Sequence, residues 1–199
     1  MSIFGWHVGA FGGVEVMHWR ELPPLVPGRG QLLVRVHASG INFAETRMRA
    51  GTYSGQELPF VMGMESAGVV EAIGPGVTGH AVGDRVFGRA RGSHATHVLF
   101  DADHALPLPN NIDFVQGAAI PVGWLTAWHA LVTIGRARAG ERVLIEAIAS
   151  SVVVRPCKSP NGKAHGLQAP RVATTNANEH VPLVRMPPTT TKLPISLRA

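Results

Sequence analysis

Two neighbouring stretches decide the reading of this chain: Gly40–Tyr53 (GINFAETRMRAGTY) and Leu58–Val70 (LPFVMGMESAGVV). In the first, Asn42 follows Gly-Ile and precedes Phe-Ala-Glu. That is a good N-cap sequence, because a short polar side chain can satisfy an N–H that the first helical turn leaves unpaired. Glu45 and Arg49, four residues apart, have two readings: positions of the motif in their own right, or an ion pair on a solvated helix face. The second stretch runs into Ala67–Ile73 (AGVVEAI), a β-branched run closed by Gly74-Pro75-Gly76.

Working outward, Gln31–His37 (QLLVRVH) alternates apolar and polar residues after the turn Pro27-Gly28-Arg29-Gly30. Asp84–Phe87 and Ala95–Phe100 add two further runs, punctuated by Gly83 and Gly92. Closely spaced strands with turn signals predict a small antiparallel barrel. Ile112–Ile134 then forms a long apolar stretch of helix formers, with Pro121 suited to a first turn. Pro121, Gly123, Thr126 and His129 interrupt it and no lysine flanks it, which predicts a buried helix and not a membrane span. His129 is expected in the core. After Gly140, Glu141–Ala147 (ERVLIEA) reads as a strand buried on both faces of a parallel sheet. The expected organisation is a mainly β barrel over 1–120, a linking helix and first α/β strand over 121–152, and a tail over 153–199.

Composition divides the chain at the same place. Of 199 residues, 45% are hydrophobic and 16% charged, which supports a real core and excludes a wholly disordered chain. The formal charge of +5 suggests nucleic acid until the charges are placed. Residues 1–150 hold 11 arginines, no lysine and 12 acidic residues, whereas residues 151–199 hold seven basic residues against Glu179 alone. Those basic residues are spaced among prolines without aromatic interleaving, so only nonspecific attraction to nucleic acid is expected. The single Cys157 excludes a disulfide framework, and no basic n-region precedes an apolar run at the start. A reduced, cytoplasmic setting is the expectation.

The two opening stretches, followed by Gly74-Pro75-Gly76-Val77 and Val82-Gly83-Asp84-Arg85-Val86, resemble the barrel domain of the medium-chain dehydrogenase/reductases. The similarity is closest to the zinc-independent quinone oxidoreductase branch and covers about residues 5–152. It implies a GroES-like barrel followed by the beginning of an α/β Rossmann domain, with NADPH and a quinone or α,β-unsaturated carbonyl in the cleft. Catalytic zinc needs thiolate, imidazole or carboxylate ligands. Where zinc-dependent relatives carry Cys and His, this chain has Asn42 and Met64, so no metal is expected. His94 and His97, the only close pair of histidines, would face opposite sides of a strand.

Without a metal, the substrate oxygen that gains charge on hydride transfer needs hydrogen-bond donors. The resemblance implies that Asn42 and Tyr53 line that cleft, Asn42 also meeting the cofactor and Tyr53 acting as donor or proton relay. The alternatives are that Asn42 caps a helix and that Tyr53 is a surface aromatic. Glu65 is expected to hydrogen-bond inside the barrel. Trp124–Leu131 resembles the family's interdomain helix, whose threonine, here Thr126, approaches the cofactor; otherwise it is a core helix with a satisfied hydroxyl. Val143–Val152 resembles the first Rossmann strand and phosphate turn, which implies cofactor contact at Ser150, Ser151 and Val152.

In relatives that turn continues into glycine, which lets backbone approach the pyrophosphate. Here Val153 follows, so NADPH binding is expected to be impaired. A change of reading frame near Val153 accounts for the break. Pro156–Asn161, back-translated and read in the adjacent frame, can give Ala-Leu-Gln-Ile-Ala-Lys, similar to the helix after the phosphate turn; retained intron sequence is the alternative. Arg171–Arg185 again resembles the family, and Thr174-Thr175-Asn176 lacks the acidic residue that would hold an NAD ribose, which leans towards NADP. The tail is expected to be poorly ordered. Two functions stand: a quinone or enone reductase by lineage, or a truncated, inactive barrel serving as an interaction module. A homodimer through an edge strand is open, but no motif calls for one.

Overall fold

The computed structural model describes residues 2–138, together with the backbone pairing of residues 143–144, 155–156 and 184–185. The chain falls into two units: Met1–Pro121 with Leu183–Ala199, and Val122–Pro182.

The first unit is built around β3 (Gln31–Ser39), which pairs antiparallel with β5 (Glu65–Ile73) on one edge and β7 (His97–Asp101) on the other. β5 continues to β6 (Arg85–Arg89), and β6 to β8 (Ala105–Pro107). Irregularities at Leu33/Val34 and Val36/Ala38 bend β3 as the sheet curls. A smaller sheet of β2 (Met17–Leu22), β1 (Ile3–Val8) and β4 (Phe60–Val61) lies alongside. The segment before β7 joins the two: Trp6 N–H donates to the His94 carbonyl and Thr96 N–H to the Phe4 carbonyl. At the far end of β3, Val184–Arg185 adds a two-residue antiparallel pairing.

Strand alternation makes the core. Leu32, Val34 and Val36 of β3 point inward with Val70, Val86, Val98 and Phe100, all buried. On the other side of β3, Ala38, Ala67 and Leu108 pack with Ala118 of α2 (Phe114–Ala118). This short helix lies on β3 and β5, with His37 stacked on Phe114 at 4.3 Å between ring centres and Arg85 over the same ring at 4.7 Å.

The expected antiparallel barrel is present, with its edges moved. Asp84–Phe87 becomes Arg85–Arg89, and Ala95–Phe100 becomes His97–Asp101, because residues 94–96 bond to β1 instead. Within the apolar stretch Ile112–Ile134, α2 is followed by a turn and by α3 (Pro121–Trp128), which begins at Pro121 as expected and continues as a wider π-type coil over His129–Ile134. Pro121 has no N–H to continue α2 and disfavours helix at the residue before it, so it starts a new one.

The second unit corrects one reading outright. His129 is exposed, not in the core, and Trp124 and Trp128 on the same helix are 72% and 64% exposed. Of the strand expected at Glu141–Ala147, Val143–Leu144 is described, paired antiparallel with Arg155–Pro156. The remainder lies outside the described residues, as does the phosphate turn. No helix among the described residues is long and apolar enough to cross a membrane.

Candidate active site

The Asn42 region forms a buried polar cluster where α1 (Phe43–Arg49) meets the end of β3, the start of β5 and the segment at Ser93–His94. Asn42 caps α1 in a capping box with Glu45, whose Oε2 accepts the Asn42 backbone N–H at 2.6 Å. The Asn42 side chain turns inward, its Nδ2 donating to Glu65 Oε1 at 2.8 Å. That bond fixes which end of the amide is nitrogen, and the Asn42 side chain also acts on the neighbouring Glu45 carboxyl. The N-cap reading and an inward-facing polar role are thus both realised in one residue.

Glu65 hydrogen-bonds inside the barrel as expected. Its backbone carbonyl also accepts from Ser39 Oγ at 2.8 Å and Ser93 Oγ at 3.0 Å. Two glycines make room for these side chains. A Cβ on Gly40 would collide with the Glu65 carboxylate, and one on Gly63, at φ +110°, would meet the backbone N of Ser93 and His94.

Of the two readings of Glu45 and Arg49, the solvated ion pair does not form. Glu45 is 1% exposed, enclosed by Asn42, Gly63, Glu65 and His94, while Arg49 reaches back to the Gly12 carbonyl at 3.3 Å. Burial pushes the Glu45 carboxyl up to about 7, the Glu65 charge adds to the effect, and N–H groups of Asn42 and Gly63 oppose it. His94, also buried, has its basicity lowered by desolvation and places Nε2 3.0 Å from the Gly40 carbonyl. His97 faces a separate partner, Glu71, at 3.1 Å, and Glu71 in turn holds Arg35 at 2.7 Å.

Ser39, Ser93 and His94 carry no local signal of their role: His94 lies 54 residues from the Gly40 carbonyl that it bonds. Their placement follows from strand pairing, which a linear pattern does not display.

The other candidates lie elsewhere. Tyr53 is 40% exposed in the turn after α1. Thr126 sits on α3 in the second unit, where its hydroxyl donates to the Val122 carbonyl at 2.6 Å; its lone pairs remain able to accept. Ser150, Ser151 and Val152 lie outside the described residues. Among the described residues no group of three or more His, Cys, Asp or Glu side chains converges as a metal site. At the position read against a zinc ligand, Asn42 Nδ2 donates to Glu65 Oε1.

Residues 28–110 match the alcohol dehydrogenase GroES-like domain. The chain is 38% identical over 178 residues to the quinone oxidoreductase of Rattus norvegicus, an alignment covering 87% of this chain and 53% of that protein. It therefore spans about half the length of the curated relatives it matches. Among solved structures, quinone oxidoreductase from Pseudomonas syringae pv. tomato superposes with TM-score 0.66 at 33% identity, over 71% of this chain and 44% of that one. The Escherichia coli quinone oxidoreductase complexed with NADPH gives TM-score 0.61 at 35% identity, over 64% and 40%. Ordered motifs, a curled antiparallel sheet and these likenesses agree: the chain carries an alcohol dehydrogenase GroES-like domain and is homologous, over about half their length, to quinone oxidoreductases.

Proposed function

We propose that this chain carries the barrel half of a zinc-independent oxidoreductase that reduces a quinone or an α,β-unsaturated carbonyl by hydride transfer. The observation that carries the reading is the buried Asn42 amide, its Nδ2 held by Glu65. NADPH, when bound, supplies the hydride. The chain's own part is to hold that donor beside the substrate oxygen as it becomes negative, where a preoriented N–H is worth more than in water. Tyr53, exposed at the end of the turn after α1, is the second donor in this reading.

The division at 1–120, 121–152 and 153–199 belongs to the same proposal, with Thr126, Ser150, Ser151 and Val152 on the cofactor side. Val153 in the phosphate turn puts a β-branched side chain where backbone should approach a pyrophosphate, so this chain binds NADPH weakly or not at all. The reduced cytoplasm is the proposed compartment, with a small electrophile as partner and no specific nucleic acid.

A second reading, an interaction module without catalysis, is favoured by one feature: the exposed Trp124, Leu125 and Trp128 of α3. Quinone-dependent NADPH oxidation, measured with this barrel joined to an intact cofactor domain, separates the two. Quinone turnover that is lost in Asn42→Ala supports the first. Turnover that an intact, NADPH-binding cofactor domain fails to restore supports the second.

A further inference from the structure

The two oxygens of Glu45 stand in unlike positions. Oε2 accepts the Asn42 backbone N–H at 2.6 Å, while Oε1 is buried and has no hydrogen-bond partner. His94 Nε2 lies 3.5 Å from that oxygen and 3.0 Å from the Gly40 carbonyl. A carbonyl can only accept, so Nε2 carries the hydrogen and donates to Gly40. One N–H therefore faces two acceptors, and the charge on Glu45 decides between them. A neutral carboxyl competes poorly with a backbone carbonyl, whereas a carboxylate forms a charge-assisted bond about twice as strong.

We propose that Glu45 is a proton-controlled positioning residue for Asn42. When neutral it leaves His94 bonded to the Gly40 carbonyl; when ionised, its proton lost to solvent, it draws the His94 N–H to Oε1, frees the Gly40 carbonyl and holds the Asn42 N–H more tightly through Oε2.

The neighbourhood is consistent with one titrating group. β5 contributes Glu65, hydrogen-bonded to the Asn42 amide, and the turn before β5 contributes the Gly63 N–H. Ser93 bonds the Glu65 carbonyl beside His94. The helix's own cations turn away, Arg47 to the Thr52 carbonyl and Arg49 to the Gly12 carbonyl. Burial raises Glu45 to about 7, so both of its forms are populated near neutrality. Burial lowers His94, which stays uncharged across the same range and keeps a single N–H to give. Asn42 is tied to Glu45 through its backbone N–H and sits two residues from Gly40, so it registers the exchange directly.

That Asn42 then presents its side-chain amide differently to a ligand rests on the functional reading above; the titration itself does not. The experiment is an NMR titration of the full chain between about pH 5.5 and 8.5, following the Glu45 side-chain carboxyl carbon, the Asn42 side-chain amide, the Gly40 carbonyl carbon and His94 Nε2. The expected result is one transition near neutrality shared by Glu45, Asn42 and Gly40, with His94 remaining a neutral Nε2–H ring. In Glu45→Gln, a lasting mimic of the neutral form, Asn42 and Gly40 hold their low-pH shifts throughout. A Glu45 carboxyl already ionised at the acid end overturns the proposal. So does an Asn42 transition that persists in Glu45→Gln. If that variant does not fold, the wild-type curves still decide, since a Glu45 transition not shared by Gly40 also overturns it. Quinone turnover indifferent to Asn42→Ala, in this barrel joined to an intact cofactor domain, would defeat the functional reading and leave this result standing.

Discussion

Glu45 is the residue whose environment departs furthest from its surface-like sequence context. A folded-state pKa near 7 lies above the ordinary glutamate value of 4.5, so the native state binds this proton more tightly than the unfolded chain does. The stability it contributes is complete below pH 4.5 and is lost as pH rises through about 7. His94 runs the other way: its lowered pKa means that stability is gained as pH rises through its titration towards 6.5. Comparison with Glu45→Gln isolates the first effect. The urea midpoint of the natural chain should fall relative to the variant across pH 4.5–7 and then level, a difference of about 3 kcal/mol at the plateau. Parallel midpoints at every pH would contradict a buried, proton-holding Glu45. Gly63 supplies a second residue-level expectation. Gly63→Ala imposes a Cβ at φ +110° against the Ser93 and His94 backbone, and should cost on the order of 2–4 kcal/mol in urea unfolding.

At the level of elements, α1 depends on its cap. Asn42→Ala removes the cap and leaves Glu65 short of a donor, which should cost about 2–3 kcal/mol by urea unfolding. Asn42→Asp keeps an N-cap but sets a third carboxyl beside Glu45 and Glu65, so its loss should exceed that of alanine at pH 8 and shrink at pH 5. The cap was legible in the sequence because it is a local pattern spanning Asn42 to Glu45. The burial of Glu45 was not, because its spacing to Arg49 looks the same whether that face meets water or is enclosed by protein. Strands β3 and β5 were legible from alternation and β-branching; β1, β2, β4 and β8 were not, since Trp6, His7, His18 and Trp19 offer no clean period. The start of α3 at Pro121 was legible because proline suits a first turn; the five-residue α2 before it was not. α3 shows the cost of judging burial by hydropathy alone: its tryptophans are apolar yet exposed. Trp124→Ser with Trp128→Ser should change the barrel's urea midpoint by less than about 0.5 kcal/mol while clearly lowering binding of a hydrophobic dye. An unchanged dye signal would place the apolar surface elsewhere.

For the whole molecule, the barrel's logic is self-contained: both apolar clusters draw on β3, β5, β6, β7, β8, α2 and their connecting segments. The family resemblance was readable because its motifs sit where chain geometry is constrained, at Gly40, Asn42, Gly63 and Glu65. The functional reading extends beyond this chain's half of its relatives, and that limits which measurements address it. The most direct is a chimera in which residues 1–138 replace the matching barrel of the Escherichia coli quinone oxidoreductase, with NADPH-dependent quinone reduction followed with and without Asn42→Ala. The account predicts a chimera that turns over a quinone and loses at least about tenfold in kcat when the Asn42 donor is removed, with NADPH binding retained. A folded, NADPH-binding chimera that reduces no quinone, or one indifferent to Asn42→Ala, would contradict it.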